Sequence, residues 1–227
     1  MNDAPDRPTV LVFGGTFDPP HRAHLTLPLL AAEAIAADHV LFIPAGCNPQ
    51  KLDNQPISGR HRIAMLEAAL RNHPEASVSS IEVDREGATY MVDTLRQLHT
   101  MERWKDCRLR LLIGADQAMN FRTWRAWQEI MALAEPLVMP RGEQDVEALQ
   151  NALEALFPED PGAWRGRVLD LPRRTDRSEV IRSDLTSENP LDDQLLPEVA
   201  AYIHAHGLYG GMRLNDPDDP DDPDDHA

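Results

Sequence analysis

Thr9 to Leu30 reads TVLVFGGTFDPPHRAHLTLPLL, and this stretch decides how the rest of the chain is laid out. Val10, Leu11, Val12 and Phe13 form a short apolar run that stops on Gly14 and Gly15, the pattern of a buried strand entering a tight turn. Thr16 and a turn built by Asp18, Pro19 and Pro20 follow. His21 and His24 come next, three apart and so on one face if a helix starts there. A strand, a glycine turn and a helix start gather unpaired backbone N–H groups and the positive end of a helix dipole at one place, which suits a phosphate.

A glycine pair after a strand is also an ordinary turn, and it is the two histidines that weigh toward a nucleotide. An imidazole donates to a phosphate oxygen, and does so more strongly when protonated. Structural zinc is the rival use of such a pair. His-x-x-His supplies only two ligands, and no cysteine or carboxylate cluster at metal spacing stands near it, so no protein metal ligand is assigned.

Working outward, 227 residues suit one domain with a sizeable core. The formal charge of −16 argues against duplex nucleic acid or an anionic membrane as the main partner. Residues 215–227, a Pro-Asp-Asp repeat, hold seven of the aspartates and cannot bury apolar surface, so a disordered tail is expected there. Residues 1–8 read as a loose end, which leaves 9–214 as the folded domain. Two cysteines, Cys47 and Cys107, and the lack of an apolar leader fit a reducing cytoplasm. No apolar run approaches membrane-spanning length.

The alternation of elements predicts an α/β fold with a doubly wound, Rossmann-like parallel sheet flanked by helices. A helix is expected over His24–Ala37 with Pro28 in its first turns, and a strand over Val40–Pro44. That β-α-β order implies a parallel pair, with ligands beyond the carboxyl ends of the strands. An amphipathic helix is expected from Ser58 to Leu70, with His61 at its surface, and a half-buried strand over Val78–Val83. Leu109–Ile113 is a second strongly apolar strand, and Gly114-Ala115-Asp116 follows it as Gly14-Gly15-Thr16 follows the first. The parallel places Asp116 near Gly15, where its carboxylate can meet a ribose hydroxyl or hydrated magnesium; a helix N-cap at Asp116 is compatible with that role. Leu137–Met139 and Val168–Leu171 read as further strands, and Asp145–Phe157 as a helix. Asp93 is read as serving a helix start. Trp104 and Trp127 are read as structural, and Trp124 as core packing on its residues alone.

Gly14-Gly15-Thr16-Phe17-Asp18-Pro19-Pro20-His21-Arg22-Ala23-His24 resembles the signature of the His-x-Gly-His nucleotidyltransferases, and in this wording that of nicotinate-nucleotide adenylyltransferases, with Ala23 where the family has glycine. Further segments resemble the family in order: Cys47-Asn48-Pro49-Gln50-Lys51, Thr89-Tyr90-Met91-Val92-Asp93-Thr94-Leu95, Trp124, Arg141 and Arg177-Ser178-Glu179-Val180-Ile181-Arg182.

The resemblance implies adenylyl transfer: nicotinate mononucleotide and ATP giving deamido-NAD and pyrophosphate, with magnesium carried by ATP. It implies ATP contacts at Gly14, Gly15, Thr16, Phe17, His24, Gly114 and Asp116, and at Ser178, Ile181 and Arg182 of the later motif. It places Lys51, Thr89, Tyr90, Trp124 and Arg141 on the mononucleotide, and makes His21, His24 and Arg182 the catalytic group. A solvated lysine at Lys51 and a surface salt bridge at Arg182 are the alternatives on the residues alone. No nucleophile–base pair is evident, so direct in-line attack of the mononucleotide phosphate on the α-phosphorus is expected. A sister enzyme using nicotinamide mononucleotide or phosphopantetheine, and a nucleotide-binding regulator without turnover, are the alternative functions.

Overall fold

Four β-favouring residues, Val10–Phe13, extended by a residue or two at each end, make the central strand of the molecule. The computed structural model describes residues 7–46, 56–140, 145–160, 162–174, 176–186 and 194–210. Among these the chain runs β1 (Thr9–Gly15), α1 (Arg22–Ala34), β2 (His39–Pro44), α2 (Gly59–Ala69), β3 (Ala76–Val78), α3 (Met91–Leu98), β4 (Arg108–Gly114), α4 (Ala115–Met119), α5 (Trp127–Leu133), β5 (Glu135–Met139), α6 (Val146–Leu156), α7 (Ser178–Thr186) and α8 (Pro197–Ala205).

The described strands form one sheet in the order β3-β2-β1-β4-β5, and every pairing in it is parallel. This is the expected doubly wound α/β architecture. The chain builds outward from β1 through β2 to β3, then returns to the other side of β1 with β4 and β5. The strand order therefore reverses between β1 and β4, and the crevice beyond their carboxyl ends is where such a sheet takes ligands.

Alternate residues of the strands feed two cores, as a period of two requires. Val10, Val12, Leu111 and Ile113 pack with Val92, Leu95, Ala118 and Ile130 of α3, α4 and α5 on one face. Leu11, Phe13, Phe42 and Leu112 pack with Leu25, Met65, Ile181 and Val199 of α1, α2, α7 and α8 on the other. Each fully buried aliphatic side chain contributes roughly 1.5–3 kcal/mol of transfer free energy, so the two-sided burial is what fixes the sheet.

Several boundaries differ from expectation for local reasons. The strand expected over Val78–Val83 ends at Val78: Asp84 N–H turns back onto the Ser80 carbonyl, and Ser80 Oγ donates to Asp84, so residues 80–84 close on themselves instead of pairing. Val168–Leu171 is not a strand; it makes a single bridge to Val138, with Leu169 N–H on the Val138 carbonyl. The first helix ends at Ala34, three residues short of Ala37. Asp93 is not a cap. Tyr90 occupies that position without a side-chain bond, and Asp93 pairs with Arg96 one turn on. His61 is half-buried, its Nδ1 2.9 Å from the Tyr202 hydroxyl, not a surface group. Residues 1–6 and 211–227, which include the expected tail, lie outside the described residues.

Candidate active site

The paired register of β1 and β4 runs up to Phe13 opposite Leu112; beyond it the two strands part, Gly14-Gly15 staying paired with Ile43-Pro44 of β2 and Gly114 with Met139 of β5. Two cavities open there, one on each side of the Gly14-Gly15 backbone.

The turn is held from below. Phe17 adopts a left-handed backbone (φ 54°) and folds its ring beneath the strand end, 1% exposed, against Phe13 and Phe42. The left-handed conformation costs an L-residue about 1–2 kcal/mol, which burial of the ring offsets. A Cβ at Gly15 would lie 2.9 Å from that ring, so glycine is required by the turn's own packing. Arg62, 3% exposed, supplies the second brace: Nη1 donates to the Thr16 carbonyl, Nη2 to the Ala45 carbonyl and Nε to the Ile57 carbonyl. One guanidinium thereby ties the ends of β1 and β2 to the start of α2. The sequence carries no sign of this role, because Arg62 looks like any polar residue on an amphipathic helix.

His21 is the N-cap of α1, and its Nδ1 accepts from the His24 backbone N–H at 3.4 Å. In the neutral ring that bond leaves the hydrogen on Nε2, the atom able to donate to a ligand. The His21 and His24 rings stack with centroids 3.6 Å apart at 19°, and both line the larger cavity of about 660 Å³. Ala23, 8% exposed, lies in the same wall. Asp116 and Ser178 line it as well, from α4 and α7. Ser178 Oγ donates to the Pro19 carbonyl at 3.1 Å, which ties the start of α7 to the histidine turn. The cap of α4 is Gly114, not Asp116, which sits in the first turn.

Arg174 and Arg177 supply cationic side chains to this cavity; the first is in no motif and the second, though it opens the Ser178 segment, had no role assigned from sequence. Arg174 is paired with Asp176 at 2.6 Å. Arg182 is placed elsewhere: its Nη1 donates to the Asp18 carbonyl at 2.6 Å and lies 3.6 Å from the Asp18 carboxylate, bracing the turn. Ile181 is fully buried and its N–H bonds the Arg177 carbonyl, so its place is in the core.

The second cavity, of about 530 Å³, has Thr16, Gly46, Thr89, Tyr90, Trp124 and Arg125 in its walls. Trp124 packs its ring 5.2 Å from Phe121, and Arg125 lays its guanidinium 4.6 Å over Tyr90. Glu82, 6% exposed, also faces it, accepting from the Thr94 hydroxyl at 2.7 Å. Aromatic faces with a few fixed polar groups suit a flat heterocycle. Thr16 therefore faces this side, while Gly14, Gly15 and Gln117 line both cavities. Lys51 and Arg141 lie outside the described residues.

Residues 12–183 match the cytidylyltransferase-like family model. A protein named "Probable nicotinate-nucleotide adenylyltransferase" in Neisseria meningitidis is 33% identical over 198 residues, covering 87% of this chain and 96% of that one. Proteins of the same name in Roseiflexus and Bordetella parapertussis are 35% and 37% identical, over 92% and 87% of this chain and 100% and 96% of their own. The chain belongs to the nicotinate-nucleotide adenylyltransferase family. The fold agrees with family structures. Plasmodium falciparum nicotinic acid mononucleotide adenylyltransferase complexed with NaAD superposes with a TM-score of 0.69 at 17% identity, covering 90% of this chain and 98% of that one. A structure from Vibrio parahaemolyticus gives 0.61 at 16% identity, covering 91% and 98%.

Proposed function

We infer that the chain joins nicotinate mononucleotide to ATP, giving deamido-NAD and pyrophosphate. The observation that carries this reading is the pair of cavities sharing the Gly14-Gly15 backbone, one walled by aromatic rings and the other by the stacked histidines and arginines. Two substrates laid in them meet phosphate to phosphate over the glycine pair, beside Gln117, the one side chain that lines both.

In this assignment the adenine nucleotide occupies the histidine side. Gly14, Gly15 and the α4 start with Gly114 offer backbone to its phosphates, and His21 and His24 donate from imidazole nitrogens. Arg174, Arg177 and Ser178 take the outer phosphates. Arg182 acts by holding Asp18 and hence the turn, which makes it a positioning residue here. Phe17 contributes through the turn's shape, and Ile181 through the seating of α7. Thr16, Thr89, Tyr90 and Trp124 receive the mononucleotide, with the Trp124 face as the platform for its electron-poor ring. Lys51 and Arg141 are assigned to the mononucleotide phosphate on the family resemblance.

A mononucleotide phosphate oxygen is already ionised at neutral pH and needs no general base. It attacks the α-phosphorus in line as the bond to pyrophosphate breaks, and the protein's part is alignment and neutralisation of charge. The mixed donor set at the cavity lip, Asp116 beside arginines, suits a triphosphate that arrives with magnesium, which when bound supplies further neutralisation. Small molecules are thus the partners. Two cysteines in 227 residues support a reducing, cytoplasmic setting; among the described residues no helix is long and apolar enough to cross a membrane.

The test is pyrophosphate release with ATP and each acceptor in turn. Turnover with nicotinate mononucleotide well above that with nicotinamide mononucleotide or phosphopantetheine is the expected result. Preference for either of the others reassigns the acceptor, and tight ATP binding without pyrophosphate marks a regulator.

A further inference from the structure

Gln117 stands where the two cavities meet. Gly14, Gly15 and Gln117 line both, and of the three Gln117 alone carries a side chain. Its amide orientation is fixed by chemistry. The backbone N–H of Gly114 lies 3.0 Å from the Gln117 side chain, and a donor requires an oxygen, so Oε1 faces Gly114. The NH₂ group is left with two hydrogens, and among the described residues neither meets an acceptor. The side chain itself is exposed, and its backbone is anchored. It sits in the first turn of α4, directly after β4, and its helix neighbours Ala115 and Ala118 are fully buried. Capping Gly114 accounts for the oxygen; it does not account for two donors held at the junction of two ligand cavities.

We propose that Gln117 is a catalytic residue whose Nε2 donates to the phosphate oxygens at the point where the mononucleotide and the α-phosphate of ATP are joined. The proposal rests on the adenylyl-transfer reading. In that step a P–O bond forms between a mononucleotide oxygen and the α-phosphorus. The bond from the α-phosphorus to the β-bridging oxygen breaks, pyrophosphate leaves with the electron pair, and no proton need move. Negative charge builds on the non-bridging α-oxygens as five ligands crowd the phosphorus, and a preorganised neutral donor there is worth most at that moment. A neutral amide also leaves the dinucleotide product free to depart, since it forms no ion pair with it.

Two variants separate capping from catalysis. Gln117→Glu keeps an oxygen for the Gly114 N–H and removes the donors; Gln117→Met removes both and introduces no charge. Pyrophosphate release and thermal unfolding are measured on both beside wild type. The expected result is a kcat lowered about 100-fold in the Met variant with KM for both substrates within about threefold, a Glu variant lowered at least as far, its carboxylate also repelling the phosphates, and a Glu variant that melts with wild type. Wild-type kcat in the Glu variant with a lowered melting temperature in the Met variant would make Gln117 a cap and overturn the role. A raised KM with unchanged kcat in the Met variant would also overturn it, leaving a binding contact only. Absence of turnover in wild type would overturn the adenylyl-transfer reading and this role with it, whereas an active wild type matched by active variants overturns this role alone.

Discussion

Tyr209 donates its hydroxyl to Oδ1 of Asp18 at 2.6 Å, joining residues 191 positions apart, and so the end of the described chain holds the turn between Gly15 and His21. Asp18 is 7% exposed, and Arg182 reaches the same residue from α7. Tyr209→Phe removes a donor from a buried carboxylate, which costs about 1–3 kcal/mol. Urea unfolding is expected to show that loss, and steady-state kinetics a reduced kcat, because the histidine turn loses one of its ties.

The same bond sets a pH dependence. Burial first, and the Asp18 carboxylate beside it second, push the Tyr209 hydroxyl above the ordinary tyrosine pKa. A folded-state pKa raised above the unfolded value means a stabilisation fully present below about pH 10, the unfolded value, and lost as pH rises beyond it. Unfolding free energy followed from pH 8 to 11 is expected to fall in the wild type more steeply than in Tyr209→Phe. Parallel curves would show that the bond does not carry the effect.

Arg62→Lys keeps the charge but cannot reach three carbonyls with the geometry of a guanidinium. The expected loss is about 3 kcal/mol of stability, with KM raised for both substrates because Thr16 and Ala45 line the cavity proposed for the mononucleotide and the glycine pair is shared. A denaturation midpoint equal to wild type would remove Arg62 from the scaffold of the site.

How much of this was legible beforehand differs by residue. The strands β1 and β4 announce themselves, since each is an apolar run cut off by glycine, and their pairing follows from the parallel between Gly14-Gly15 and Gly114. His21, His24 and Ser178 reach one cavity as their motifs suggest. Arg62, Arg174 and Gln117 were invisible because what distinguishes them is which distant carbonyl, carboxylate or backbone N–H they meet, and that is decided by tertiary packing. The strand expected over Val78–Val83 failed for the opposite reason: alternation was present, yet the short-range Ser80–Asp84 contacts close the backbone before it can pair. Arg182 shows that a motif residue can brace the turn: one of its N–H groups goes to the Asp18 carbonyl.

Gly46 has no room for a methyl group. A Cβ there would lie 2.3 Å from the Glu82 carbonyl and 2.6 Å from Thr89 Cγ2. Gly46→Ala therefore has to displace backbone in the wall of the cavity proposed for the mononucleotide, at about 1–3 kcal/mol. KM for the mononucleotide is expected to rise about tenfold or more, equivalent to about 1.4 kcal/mol of binding, while KM for ATP changes little. Equal effects on both substrates would contradict the division of the site.

His24→Ala removes one ring of the stacked pair and leaves the N-cap at His21 in place. Turnover by pyrophosphate release is expected to fall by about 10²- to 10³-fold, with unfolding free energy within about 1 kcal/mol of wild type. Near-normal turnover would take the imidazoles out of the chemistry.

The bare stretch of backbone at Gly14-Gly15 also has a pharmacological consequence. Because the backbone shared by the two chambers carries only hydrogen at Gly14 and Gly15, with Gln117 the one side chain common to both walls, one linear molecule with a pyridine-like head, a short polyanionic or isosteric bridge and a purine tail is expected to thread both if the proposed division of substrates holds. Such a tethered inhibitor loses its translational freedom once where separate reactants lose it twice, and its second end docks at the high local concentration set by the linker. Its gain over either half alone would grow as the bridge length approaches the span of the glycine saddle and fall away on both sides of it.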